Sequence, residues 1–226
     1  MICQKKALLL DMNGTFMFGE DRFGDVEDFS IHYRQLGGTL PREDVNQIIR
    51  LAYAFLGTRY TDPRYKHTFP SVADAIRRTS PQLLDNDELK TVVNTFAYHE
   101  LGTVPPQYVI ALNRLHDRFL LGAVIDIWSP KSLWLETFEH TQIASLFSAI
   151  SFSSDHGIVK PSPEPFKKVL AEIGVSQKEA IMVGDSPQRD LGGAQNAGID
   201  CVLVGGAKHP DALACYNSLL ELSDIL

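Results

Sequence analysis

Lys5-Lys6-Ala7-Leu8-Leu9-Leu10 runs directly into Asp11-Met12-Asn13-Gly14-Thr15. The apolar stretch is shorter than an ordinary helix and suits a strand buried on both faces, closed by a carboxylate and a glycine turn. Runs of the same kind recur at residues 120–125, 180–183 and 201–204, with a weaker one at 149–152. Between them the period lengthens to that of a helix. Tyr108, Ala111, Leu112 and Leu115 share one face, and Phe166, Val169, Leu170 and Ile173 share another that Gly174 terminates. Strands that alternate with helices predict an α/β fold, a doubly wound parallel sheet with right-handed crossovers and helices on both faces.

One interval breaks the alternation. From about Val26 to Leu101 there are two helical stripes, one through Val45, Ile48, Ile49, Ala52, Phe55 and Leu56 and one through Leu89, Val92, Val93, Phe96 and Ala97, and no convincing strand. Weaker helical patterns cover residues 25–35 and 71–79. The chain therefore divides into an α/β core of residues 1–20 and 102–226 and an inserted all-helical domain of residues 21–101. Pro105-Pro106 marks the return to the core.

At 226 residues, with 44% hydrophobic and 22% charged residues, the chain can bury a sizeable core and has no composition of a disordered segment. Its formal net charge of -7 argues against a surface built to neutralise nucleic-acid phosphates, so any anion site must be local. The apolar run after Lys6 ends at Asp11, too short for a signal peptide or a membrane span. Cys3, Cys201 and Cys215 are odd in number and widely spaced, which suits reduced thiols in a cytoplasmic protein. Neither a nucleic-acid nor a membrane partner is expected.

Asp11 and the turn at Gly14 and Thr15 fall at the C-terminal end of the first strand, where open parallel sheets bind ligands. Gly184-Asp185-Ser186-Pro187-Gln188-Arg189-Asp190 sets two more carboxylates after the run at 180–183. Ser186 as N-cap, Pro187 at the first helical position and Asp190 near the helix dipole explain part of that stretch, but capping has no use for Asp185. A hard divalent cation does, because it wants clustered carboxylate oxygens. Lys160 stands just before a helix that opens near Pro163, and Ser129 closes the stretch 120–128. Asp126, Trp128 and Trp134 read as local packing or hydrogen-bonding residues.

Taken in order, residues 11–15, Ser129, Lys160 and residues 184–190 resemble the four motifs of the haloacid dehalogenase superfamily, in order, spacing and strand placement. The resemblance runs from Leu8 to about Gly206, and the helical insertion looks like that family's mobile cap. It implies a Rossmann-like, haloacid-dehalogenase-type core of five strands in which the fourth is added beside the first, so that the Asp11 and Asp185 loops meet. It also implies roles. Asp11 would be the nucleophile that forms an aspartyl-phosphate. Mg²⁺ would be held by Asp11, the backbone carbonyl of Asn13 and Asp185, with Asp190 a ligand through water or a support. Gly14, Thr15, Ser129 and Lys160 would hold the phosphate. The implied activity is a Mg²⁺-dependent phosphatase or phosphotransferase acting on a small phosphorylated molecule.

Two positions depart from the family's pattern. Its phosphatases normally carry a second aspartate, the acid and base of the reaction, where this chain has Asn13. Pro130 offers no N–H where relatives often bind phosphate with an amide. A second reading is therefore a catalytically impaired protein that binds phosphorylated ligands, and a third is carbon–halogen hydrolysis. Arg59-Tyr60, Arg64, Lys66 and His67 lie between two helical stretches of the insertion and either face a substrate or form solvated surface.

Overall fold

Six strands form one parallel sheet: β1 (Ala7–Leu10), β2 (Leu120–Ile125), β3 (Phe147–Phe152), β4 (Ala180–Gly184), β5 (Asp200–Leu203) and β6 (Ala214–Cys215). Their order is β3-β2-β1-β4-β5-β6, so the direction of winding reverses at β1. This computed structural model describes residues 2–226 apart from the side chain of Cys3. The reading of Cys3 as a free thiol thus lies outside the described residues, whereas Cys201 is a buried free thiol and Cys215 an exposed one. Five strands coincide with the apolar runs. The sixth is a two-residue edge strand with no apolar run to announce it.

The central strands are apolar throughout because both faces are covered. Leu8 and Leu10 enter one layer with Leu112, Trp134 and Phe138, while Ala7 and Leu9 enter the other with Phe166, Val169 and Met182. Each leucine so buried contributes roughly 1.5–3 kcal/mol. Leu10 pairs with Ala123 of β2 and with Val183 of β4, which brings the C-terminal ends of the three middle strands level.

The insertion is helical: α1 (Ser30–Gln35), α2 (Arg42–Tyr60), α3 (Val72–Thr79) and α4 (Asn86–Glu100). Side chains of Ser71 and Asp85 accept the N–H of Asp74 and of Glu88 and so start α3 and α4. α1 is shorter than the pattern at 25–35 predicts. The Asp28 carboxylate takes the N–H and hydroxyl of Ser30, which holds the preceding residues in a turn. Phe29, Tyr33, Ile48, Ile49 and Phe96 form a separate apolar core, joined from the α/β part by Val159.

The chain enters and leaves the insertion side by side. Phe18 and Thr103 exchange both backbone hydrogen bonds, at 2.9 and 2.8 Å, and the Arg22 N–H donates to the His99 carbonyl at 2.9 Å. The remaining helices, α5 (Pro106–His116), α6 (Ser132–His140), α7 (Ser153–His156), α8 (Glu164–Ile173), α9 (Gly192–Ala197) and α10 (Leu219–Ile225), belong to the α/β layers. Among the described residues no helix is long and apolar enough to cross a membrane.

Candidate active site

Asp11 follows β1 and Asp185 follows β4, and the two strands are neighbours in register. The carboxylates therefore leave the sheet together at the point where its winding reverses. Two glycines make room for them. A Cβ on Gly14, whose φ is +68°, would sit 2.3 Å from Asp185 Oδ2, and one on Gly184 would sit 2.3 Å from Asp190 Oδ2. Oxygens of Asp11, Asp185 and Asp190 lie within 4.8 Å of one another.

Lys160 fills the centre of this cluster. Its Nζ donates to Asp11 Oδ1 at 2.5 Å and to Asp190 Oδ1 at 2.8 Å, and the side chain is almost fully buried. Asp190 Oδ2 accepts the Ser186 N–H at 2.9 Å, so both of its oxygens are engaged. Burial opposes the lysine charge, but Asp11, Asp190 and Asp126 outweigh it and hold the ammonium well above the ordinary lysine value. Burial and the Asp190 charge push the Asp11 carboxyl above the ordinary aspartate value, with Lys160 as the counterweight. Asp185 is raised as well, by burial and then by Asp190.

One ammonium among three such carboxylates leaves an excess of negative charge that a cation would relieve. The donor set is oxygen only, which suits a hard divalent ion. The Asn13 Oδ1 atom is buried in the same cavity and has no hydrogen-bond partner. The residues present therefore fit a metal site of the kind the motifs imply.

Three other sequence-derived site residues are placed differently. Ser129 is the fourth residue after β2, is fully buried and does not line the cavity. The reason is local: Ile127 exchanges hydrogen bonds with the Ser153 hydroxyl at 3.0 and 2.8 Å, which turns residues 127–129 toward β3. The amides of Gly14 and Thr15 are occupied by the carbonyls of Met17 and Met12, at 3.0 and 3.2 Å, and so do not form an open phosphate cradle. Pro130 lines a separate groove with Trp128 and Leu135, so its missing N–H does not bear on this cavity.

Asp126, Tyr60 and Arg189 do line it; of the three, the sequence offers only Tyr60 as a residue that could face a substrate. Asp126 is the first residue after β2, the same position that singled out Asp11 and Asp185. Its Oδ2 accepts the Tyr60 hydroxyl and the Lys160 N–H, each at 3.0 Å, and burial raises its carboxyl despite the nearby cations. Arg189 stacks its guanidinium 3.2 Å from the centre of the Tyr60 ring and donates to the carbonyls of Tyr60 at 2.6 Å and Lys160 at 2.8 Å. A π-helical turn over Pro187–Leu191 accommodates this, with Ser186 accepting from the Asp190 and Leu191 amides at 2.9 and 3.2 Å. Within that turn Asp190 is buried against Lys160 while Arg189 holds the end of α2.

Glu100, the last residue of α4, accepts the N–H groups of Trp128 at 2.5 Å and Ser129 at 2.9 Å. Burial pushes its carboxyl up to about 7 from the ordinary 4.5, against the pull of those amides. The folded state thus holds the proton more tightly than the unfolded one. Stability should fall as pH rises from about 4.5 to about 7 and then level off, as far as this group is concerned. Glu100→Gln should flatten that part of the melting-temperature profile. An unchanged slope would place its origin elsewhere.

Comparisons with known proteins bear on the whole arrangement. A 26% identical relative, glyceraldehyde 3-phosphate phosphatase of Pyrococcus furiosus, aligns over 200 residues, 84% of this chain and 82% of that protein. Phosphoserine phosphatase of Thermus thermophilus is 42% identical over 69 residues, which span only 30% of this chain and 28% of that protein. Among solved structures, the 2-haloacid dehalogenase of Pseudomonas syringae superposes with a TM-score of 0.66 at 22% identity, covering 98% of this chain and 97% of that one. A phosphatase from Thermococcus onnurineus does so with a TM-score of 0.63 at 22% identity over 97% of each chain. At such identities the structures speak for the fold. The family model described as haloacid dehalogenase-like hydrolase matches residues 50–204, more than half of the sequence. It takes in Lys160, Asp185 and Asp190 within one continuous match, and on that match the chain belongs to the haloacid dehalogenase-like hydrolases.

Proposed function

We propose that this hydrolase is a Mg²⁺-dependent phosphatase or phosphotransferase that acts on a small phosphorylated metabolite through an aspartyl-phosphate on Asp11. The observation that carries the reading is the Lys160 bridge between Asp11 and Asp190 beside Asp185. The relatives named as phosphatases support a phosphate-ester substrate. The free thiols of Cys201 and Cys215 suit a cytoplasmic setting.

Lys160 engages Asp11 Oδ1 and leaves Oδ2 as the atom that attacks phosphorus. The new bond joins Oδ2 to phosphorus as the ester P–O bond breaks, and water later hydrolyses the acyl phosphate. Lys160 also balances charge on the phosphoryl oxygens. Asp11, the carbonyl of residue 13 and Asp185 would hold Mg²⁺, and Asp190 would support the cluster through Lys160 and the Ser186 amide. A bound divalent cation would offset the negative charge of the phosphoryl group. The leaving oxygen needs a proton, which the Asn13 amide does not supply, so turnover should be slow for poor leaving groups.

Residues 21–101 act in this reading as a cap that opens for substrate and excludes water when closed. Tyr60 in the cavity, together with the Phe69 N–H bond to Gly157 and the Val159 N–H bond to Lys66, at 2.8 and 2.9 Å, supports reading this conformation as the closed one. Binding without turnover is the second reading, favoured by Asn13 and by the Asp126 carboxylate facing any incoming anion. Titration calorimetry decides the metal assignment: Asp185→Ala should lose Mg²⁺ binding, and unchanged binding would sink it. A screen of phosphorylated metabolites with and without Mg²⁺ separates turnover from binding.

A further inference from the structure

A larger cavity, about 580 Å³, lies beside the acidic one. Tyr60 lines the acidic cavity and packs against two residues of the larger one's wall. Its hydroxyl reaches Asp126 in the small cavity, and its ring packs edge-on, at 5.7 and 5.6 Å, against Phe69 and Trp128, which line the large one. The small cavity, about 180 Å³, has room for a phosphoryl group and a cation. It falls below the ~300–1,000 Å³ of sites that enclose an organic ligand, and the larger cavity falls within that range.

The walls of the two cavities differ in chemistry. Phe55, Tyr65, Phe69 and Trp128 supply flat apolar surface to the larger one, and Arg59 and Arg78 supply charge. The Arg59 guanidinium lies 3.3 Å from the centre of the Phe55 ring and donates to the Phe55 carbonyl at 2.9 Å, which fixes the plane of its fork. Acids on the same segment already have partners: Asp62 has Arg64 at 2.5 Å, and Asp74, in the cavity wall, has Ser71 at 2.8 Å and Arg77 at 3.6 Å. Neither Arg59 nor Arg78 forms an ion pair among the described residues. The Ser154 hydroxyl, buried in the wall, also has no partner. Two arginines against the one carboxylate of Asp74 leave this cavity cationic in a chain of net charge -7, and the small excess suits a monoanion.

We propose that this cavity receives the leaving group of the substrate and that the leaving group is a flat ring bearing a carboxylate. Arg59 and Arg78 pair with the carboxylate, the aromatic walls take the ring, and Tyr60 swings aside so that the ester spans both cavities. This rests on the phosphatase reading, so the test has an arm that needs no turnover.

In that arm 4-hydroxybenzoate and phenol are titrated into the full-length protein by calorimetry. The parent should bind 4-hydroxybenzoate about tenfold or more tightly than phenol, and Arg59→Gln and Arg78→Gln should each lose about tenfold of the 4-hydroxybenzoate affinity. In the kinetic arm, 4-carboxyphenyl phosphate should show a KM about tenfold below that of phenyl phosphate, a ratio that collapses in both variants. Equal binding of the two probes, no binding of 4-hydroxybenzoate at millimolar concentration, or affinity unchanged in both arginine variants overturns the proposal. Binding as expected with neither ester turned over supports the carboxylate site and removes the phosphatase reading instead.

Discussion

Asn13→Asp should raise turnover of an alkyl phosphate by about a hundred- to ten-thousand-fold, and turnover of an aryl phosphate by far less. The side chain at position 13 already lines the cavity, with Oδ1 buried and unpartnered, so a carboxyl group fits the same space. Among Asp11, Asp126 and Asp185 it would hold its proton more tightly than an ordinary aspartate, which suits an acid that must donate to a leaving oxygen. An alkoxide needs that proton, whereas a phenolate leaves largely without it. The parent should therefore transfer phosphate to Asp11 from aryl esters and then stall as the acyl phosphate, giving a burst followed by slow release. Asn13-Gly14 is prone to deamidation, so fresh protein checked by mass is required. If both rates are unchanged in the variant while Mg²⁺ is bound, position 13 has no acid–base role and the binding reading is the better one.

Lys160→Met should lower unfolding stability by about 3–5 kcal/mol, measured by urea denaturation. Lys160 is buried between Asp11, itself almost buried, and the fully buried Asp190. Removing the ammonium leaves carboxylates facing one another in a medium that solvates them poorly. Adding Asp190→Asn in the same chain should recover part of the loss, because one of the uncompensated charges is gone while the Ser186 N–H keeps an acceptor. A loss below about 1 kcal/mol would mean that the cluster is effectively solvated. Loss without recovery in the double variant would assign the effect to packing of the lysine stem.

Asp11 and Asp185 were legible because an apolar run of the right length ends on each, and two such runs in an alternating pattern become neighbours in the sheet. Lys160 was legible only through its company, since a loop lysine carries no local signal. Ser129 was misplaced for an identifiable reason. Ile127 and Trp128 prolong the apolar stretch beyond Ile125, where the strand stops, so the first polar residue after β2, Asp126, reads from sequence as a packing or hydrogen-bonding residue. Tyr60 and Arg189 come together across 129 residues of sequence, through a ring stacked on a guanidinium. No pattern along the chain encodes that meeting. The stripe that defines α2 reports its buried face and is silent about what its last residue touches.

The paired crossing at Phe18 and Thr103 bears on how this architecture tolerates change. Seen from the sheet, everything between those two residues is closed off by one antiparallel bridge, as if it were the tip of a hairpin. The entropy of closing a loop grows only logarithmically with its length, so lengthening or shortening the excursion costs the sheet little once that bridge is made. The position of Asp11 is fixed by its place at the ends of β1 and β4, and the chain beyond the bridge reaches the cavity from outside the sheet, through Tyr60. Walls that choose a substrate can thus be rebuilt by insertion and deletion on one side of the bridge while the charged cluster on the other side keeps its geometry.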